Sequence, residues 1–463
     1  AGASEALVKA LRKHIKNASV VEQIGGAIAN IVAADERSKE QLESAGVCET
    51  IVGCMRRHSD NVVISAISCR IVGNLAKSLD TAARLGSIGA CESVTSALRR
   101  FGGEVAACQQ ACYSIRNLAQ ESENRSMLGL SGACELLTGT LRKFNDSRLV
   151  AEQICGAITN LCADHAENNT KLNLASASEL VTATLKTHVE VSLVVEQACR
   201  SVSVLAINVN RRYNLGVLGV CEAVIAALER HLYDARVLVS VINAMCSVAS
   251  GTVECQHTFG VNRGCELLTK ALGIHKLRPD VTEQVCYSVY ALSENNTANM
   301  KRFADAAIFD GVISALYDHQ EVGWVCSAAC RAIHALSLDD TNLWNICSLR
   351  ASERICLILR AHINDSSVVI SACNAITALT RNETQHTNLR NNSACGLVVD
   401  AFNLHVNDIN VLRAILESIS ALSKDATNAG VLGKSNLCSL LSSLLEEHKS
   451  SPDLVALLTY TIY

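Results

Sequence analysis

Proline is almost missing from this sequence. There are two, Pro279 and Pro452, in 463 residues, and so few helix breakers fit an all-helical chain. Aromatic residues make up only 3%, although 49% of the chain is apolar, so any core is built from small side chains that let helices approach closely. No apolar run reaches the roughly 18 residues that a membrane span requires, so no transmembrane segment is expected. There is no excess of base: 41 Lys and Arg stand against 45 Asp and Glu, a net charge of -4. That balance gives no electrostatic case for a nucleic-acid partner. The sequence has no C-x-x-C pair, no Gly-rich phosphate loop, no G-x-S-x-G elbow and no H-E-x-x-H. No catalytic residue, metal ligand or cofactor is therefore expected, and the protein is expected not to be an enzyme. No signal-peptide pattern is visible either, since Ala1 to Glu5 lead straight into a repeat helix. Both ends are expected to be cuts in a longer protein.

What the sequence does have is one sentence written many times. Gly89-Ala90-Cys91-Glu92 opens a helical stripe of Val94, Ala97 and Leu98 that closes on Phe101. Gly132-Ala133-Cys134-Glu135 and Gly219-Val220-Cys221-Glu222 begin the same phrase. Aligned on the glutamate, the copies fall at positions 5, 49, 92, 135, 179, 222, 266, 310, 353, 396 and 439, always 43 or 44 residues apart. An acid fills nine of the eleven, the exceptions being Gly396 and Ser439. A fixed period of this size along the whole chain predicts a solenoid, which grows by stacking layers and not by enlarging a single core. One solenoid over 1–463 is expected, with repeats at about 1–44, 45–87, 88–130, 131–174, 175–217, 218–261, 262–305, 306–348, 349–391, 392–434 and a partial one at 435–463.

Each repeat reads as three helices. In the second, 46–58 carries Ile51, Val52 and Met55 on one face. A longer helix over 62–77 then places Val63, Ile67, Ile71 and Leu75 at helical spacing, and a short piece follows at 81–85. The glutamate lies in the first turn of its helix, where the macrodipole favours an acid. Glycine before it permits a tight turn.

Twenty-two cysteines fall largely into columns. Cys48, Cys91, Cys134, Cys221, Cys265, Cys395 and Cys438 precede the glutamate position, and Cys69, Cys112, Cys155, Cys199, Cys286, Cys330 and Cys373 share one position of the long helix. Layers about 8–10 Å apart are too distant for disulfides within a column. All fourteen are expected to be buried free thiols acting as small hydrophobes, which places the chain in a reducing, cytoplasmic compartment. Nine histidines occupy a single repeat position: His14, His58, His188, His231, His275, His319, His362, His405 and His448, with Phe101 and Phe144 filling the other two. Phenylalanine in the column argues against metal, and a helix C-terminal ring meeting the carbonyl end of the dipole is expected. Trp324 and Trp344, both in the eighth repeat, are expected to serve local packing.

The long helix carries a family resemblance. It reads Val20-Val21-Glu22-Gln23-Ile24 in the first repeat and Val150-Ala151-Glu152-Gln153-Ile154 in the fourth, and the Glu-Gln pair returns at Glu196-Gln197 and Glu283-Gln284. Asn74-Leu75-Ala76 and Asn117-Leu118-Ala119 close it. With a three-helix period of 43–44, the chain resembles the armadillo-repeat family over its whole length. The resemblance implies an all-α, right-handed superhelical solenoid whose long helices line a concave groove. It also implies a groove that grips a partner's backbone through asparagines, here Asn30, Asn74, Asn117 and Asn160. From the fifth repeat that column becomes Val204, Ser247, Ala291, Ala335, Ala378 and Ala421. One turn earlier, where nuclear import receptors of the alpha type carry tryptophans, this chain has a mixed column that includes Arg70, Tyr113, Arg200, Tyr287 and Arg331. The missing tryptophans disfavour classical nuclear-localisation-signal binding, whereas arginine and tyrosine suit a protein interface.

The expected function is a non-enzymatic scaffold that binds a protein or peptide partner in this groove. The resemblance also allows a regulatory region of a larger enzyme, or a structural subunit of a cytoskeletal or ciliary assembly.

Overall fold

Each of the ten full copies of the repeat folds as three consecutive helices, and no strand occurs among the described residues. The computed structural model describes residues 2–435 and 437–447, together with Val455, Leu458 and Thr459. His448 and Pro452 lie outside the described residues. In the second repeat the helices are Val47–Arg57, Val62–Leu75 and Leu79–Ser87. The third is thus nine residues long and not a five-residue fragment. It gains a turn because Leu79 and Asp80 continue helically instead of breaking the chain.

Local chemistry fixes the helix starts. Asn17, Asn61, Asp234, Asp365 and Asp408 cap long helices by accepting from backbone N–H groups of the first turn. Asp35, Glu121, Asn208, Asn296, Asp339, Asn382 and Asp425 do the same for third helices. Pro279 sits at the first position of its helix, where its missing N–H costs nothing. The turn into each first helix needs a left-handed residue. Glycine supplies it at Gly46, Gly89, Gly132 and Gly219, with φ of 80–87°. Elsewhere Ser176, Arg263, Ala307, Arg350 and Ser393 take that conformation at φ 60–67°, so the turn persists without its preferred residue.

The chain forms two compact units, Ala1–Arg230 and His231–Tyr463. In the first, the long helices Ala18–Ala34, Val62–Leu75, Val105–Leu118, Arg148–Cys162 and Ser192–Leu205 stack each on the next. In the second, Ala235–Ala249, Pro279–Ser293, Gly323–Leu336, Ser366–Leu379 and Ile409–Leu422 stack likewise. Both are all-α repeat solenoids.

The cysteines lie where the repeat puts them, with one exception. All seven of the long-helix column are buried, as are six of the seven before the glutamate position. Cys438 is exposed. Burial pushes the thiols of Cys69, Cys155, Cys286 and Cys373 up to about 12. The tryptophans also depart from expectation: Trp324 and Trp344 are 45% and 66% exposed, so neither is a packing residue.

Two ladders join neighbouring layers. The rings of His58, His188, His275, His319, His362 and His405 reach a carbonyl of the preceding layer instead of their own helix end. His58 Nε2 meets Ile15 O at 2.6 Å, His188 meets Asn145 O at 2.6 Å, His319 meets Lys276 O at 2.8 Å, and His405 meets Ile363 O at 2.7 Å. A carbonyl partner requires the proton on Nε2. A second ladder runs through the third helices. Asn124, Asn168 and Asn299 are fully buried, and each Nδ2 donates to two main-chain carbonyls. For Asn168 these are Arg125 O at 2.9 Å and Leu161 O at 3.2 Å. A methyl added at Gly86, Gly129 or Gly260 would overlap the facing carboxamide, which is why these layers carry glycine there.

Candidate partner-binding face

The long helices bury one side against the other helices and leave one line of side chains half-open. Arg70, Tyr113, Tyr287, Arg331 and Asn374 are half-buried and Arg200 is exposed, all at the same repeat position. The asparagine position lies one turn later on the same helices.

In the first unit the structure brings these two columns together across layers. Arg70 Nη2 donates to Asn30 Oδ1 of the preceding repeat at 2.7 Å. Tyr113 Oη donates to Asn74 Oδ1 at 2.9 Å. The asparagines also donate backwards: Asn117 Nδ2 to Gly73 O and Asn160 Nδ2 to Arg116 O, both at 2.8 Å. Asn30 is exposed and Asn160 half-buried, whereas Asn74 and Asn117 are only 7% and 6% exposed. Gly73 makes room for this arrangement, since a Cβ there would stand 2.5 Å from the Tyr113 ring.

Arg116 was not singled out by the sequence, yet it is the centre of the first unit's polar face. Its guanidinium donates to Gln153 Oε1 at 3.3 Å and to Gln197 Oε1 at 3.2 Å, and lies 3.7 Å from Glu152 Oε1. Gln153 and Gln197 donate in turn to Glu152 and Glu196. Burial lowers the Arg116 pKa, opposed by Glu152 and Glu196 and assisted by Arg200, but an arginine this close to carboxylates stays charged. The recurring Glu-Gln pair was the available signal. It marks the positions that hold this guanidinium.

In the second unit the same columns do not pair. The asparagine position holds Ser247, Ala291 and Ala335, and the donors above it are open. Arg331 lies 5.7 Å from the Tyr287 ring centroid, and its Nε donates to Ser371 Oγ at 3.3 Å. Burial raises the Tyr287 phenol pKa, partly offset by Arg331. Tyr290 Oη donates to Glu294 Oε1 at 3.3 Å. Among the described residues no group of three or more His, Cys, Asp or Glu side chains could hold a metal ion.

No family model matches this sequence, and no curated protein matches it. Among solved structures, the chain is similar to an engineered protein from a structural genomics consortium, with a TM-score of 0.75 at 17% identity over 91% of this chain and 98% of that one. That likeness shows the fold. A second engineered protein gives 0.46 at 21% identity over 53% of this chain and 98% of its own. A structure from work on a phosphorylation switch in the interaction between cadherin and β-catenin gives 0.47 at 16% identity over 99% and 98%. No helix among the described residues is long and apolar enough to cross a membrane.

Proposed function

We propose that this chain is an armadillo-type scaffold with no catalytic role, which holds a segment of a partner protein against its long-helix face. The observation that supports this reading is a single column. Arg70, Tyr113, Arg200, Tyr287 and Arg331 keep polar, interface-forming side chains half-open or exposed in repeat after repeat, while the residues on either side of each are buried. Asn30, Asn74, Asn117 and Asn160 belong to the same face as the groups that hold that column. In the first unit a partner meets Arg70 and Tyr113 before it meets the carboxamides they cover. The abundance of buried free thiols favours a reducing compartment for the protein.

The test begins with crosslinking and mass spectrometry on native extract, which maps partner crosslinks onto the chain. Arg200, Tyr287 and Arg331 are then changed together to alanine. Partner recovery should fall at least tenfold while helicity by circular dichroism is unchanged. Unchanged recovery, with crosslinks confined to the outer faces of the first helices around Ser96 and Ala183, would sink the proposal.

A further inference from the structure

Within the second unit, Tyr287, Arg331 and Asn374 occupy the same position in three successive layers. Their donors are unspent. Among the described residues, the Tyr287 hydroxyl, both terminal amino groups of Arg331 and the Asn374 carboxamide have no hydrogen-bond partner, and Arg331 has no ion pair. The reason can be read from the first unit. There two of the three such donors are held by the asparagine one layer back, Arg70 by Asn30 and Tyr113 by Asn74, while the exposed Arg200 is not bonded to Asn160. In the second unit the residue one layer back from Arg331 is Ala291, and from Asn374 it is Ala335, and alanine accepts nothing. The residue behind Tyr287 is Ser247, whose hydroxyl is engaged with Asn243 Oδ1 at 3.2 Å.

Arg331 is nonetheless not loose. Tyr287 lies under its guanidinium, and Ser371 fixes Nε. Ser371 is itself held by Ser327 at 2.9 Å and by Ser367 O at 2.8 Å. The fork is therefore aimed while its terminal edge stays open, the edge that takes a carboxylate in two parallel bonds. Of the carboxylates on and just after the Tyr287 helix, Asp280 pairs with Arg278, Glu283 accepts from Gln284 at 3.2 Å, and Glu294 accepts from Tyr290.

From this we infer that Tyr287, Arg331 and Asn374 form a receptor for an acidic side chain, so that the segment held by the second unit carries an aspartate or glutamate at this point. The inference rests on the scaffold reading above and names the chemistry of its partner.

Random 12-residue peptides displayed on phage, selected against the full chain and against Arg331→Gln, Arg331→Lys and Lys270→Gln, test it. The wild-type pool should be enriched in Asp or Glu at one fixed position. Arg331→Gln should lose that enrichment and bind the best synthetic acidic peptide about ten- to a hundredfold more weakly, the range for a hydrogen bond to a charged group. Arg331→Lys keeps the charge without the fork and should retain the acidic preference at reduced affinity. Lys270→Gln, on the exposed side of the first helix Gly264–Ile274, should leave the preference intact. Peptides enriched without an acidic position, or an acidic preference indifferent to Arg331→Gln, would overturn the carboxylate receptor and leave the scaffold standing. A failure to enrich any peptide would defeat the scaffold reading and this inference with it.

Discussion

Arg70 and Arg331 fill the same repeat position in the two halves of the chain, and their guanidinium groups are treated differently. Arg70 is tied to Asn30 of the layer behind it, while Arg331 stands over a tyrosine with alanine behind it and its outer edge open. The backbone is the same in both places: an 11-residue first helix, a 14-residue long helix and a nine-residue third helix make up both repeats. At these two arginines, asparagine or alanine in the layer behind separates a guanidinium that is held from one that is open. A repeat can vary this surface at little cost to its fold, because the histidine and third-helix asparagine ladders also hold the layers together.

The largest expected effect should not distinguish the halves at all. The folded chain keeps the protons of Cys69, Cys155, Cys286 and Cys373 up to a pH of about 12, whereas an unfolded thiol with the ordinary value of 9.0 has already lost them. The stability from this burial is full below pH 9 and is lost as the pH rises toward 12, on the order of 4 kcal/mol for one such thiol at the limit. Circular dichroism should show both units unfolding within that window. Melting of one unit alone would break the equivalence of the two cores.

Next come the buried asparagines of the third helices. Asn168→Ala in the first unit and Asn299→Ala in the second each strand two main-chain carbonyls, which should cost about 2–4 kcal/mol in urea unfolding. Equal losses support a shared scaffold, and a loss in only one half refutes it. A smaller effect is expected on the long-helix face. Asn117→Ala removes the bond to Gly73 O and should cost about 0.5–1.5 kcal/mol, with no change in binding at Arg331. The smallest and sharpest is Ala291→Asn, which places a carboxamide behind Arg331 as Asn30 stands behind Arg70. Stability should rise by at most about 0.5 kcal/mol, while affinity for an acidic peptide falls because the fork is now occupied. Unchanged affinity would show that the asparagine column does not control the arginine.

Much of this was legible before any coordinates. The period fixed the number of helices per repeat, and the buried cysteine columns followed from their recurrence and small size. The polar column was visible because arginine and tyrosine stood where a core position would be apolar. What stayed hidden was the offset between layers. A sequence aligned on its own repeat shows that Asn30 and Arg70 recur, but not that one repeat's asparagine lies beside the next repeat's arginine. The same blindness misassigned the histidines to their own helix ends, when their carbonyl partners belong to the layer before. The third-helix asparagines were missed although a signal existed: Asn124, Asn168 and Asn299 each follow, one layer on, a helix that carries glycine at Gly86, Gly129 and Gly260.

Most of the bonds described between layers join a repeat to its immediate neighbour, which makes each unit resemble a row of beads coupled pairwise. Arg116 breaks that rule. Rooted in the third repeat, it binds Gln153 in the fourth and Gln197 in the fifth. A next-nearest coupling of this kind lengthens the cooperative segment, so repeats three to five should exchange their amide hydrogens as one block instead of fraying layer by layer. One arginine thereby sets the grain size of motion in the first half of the chain.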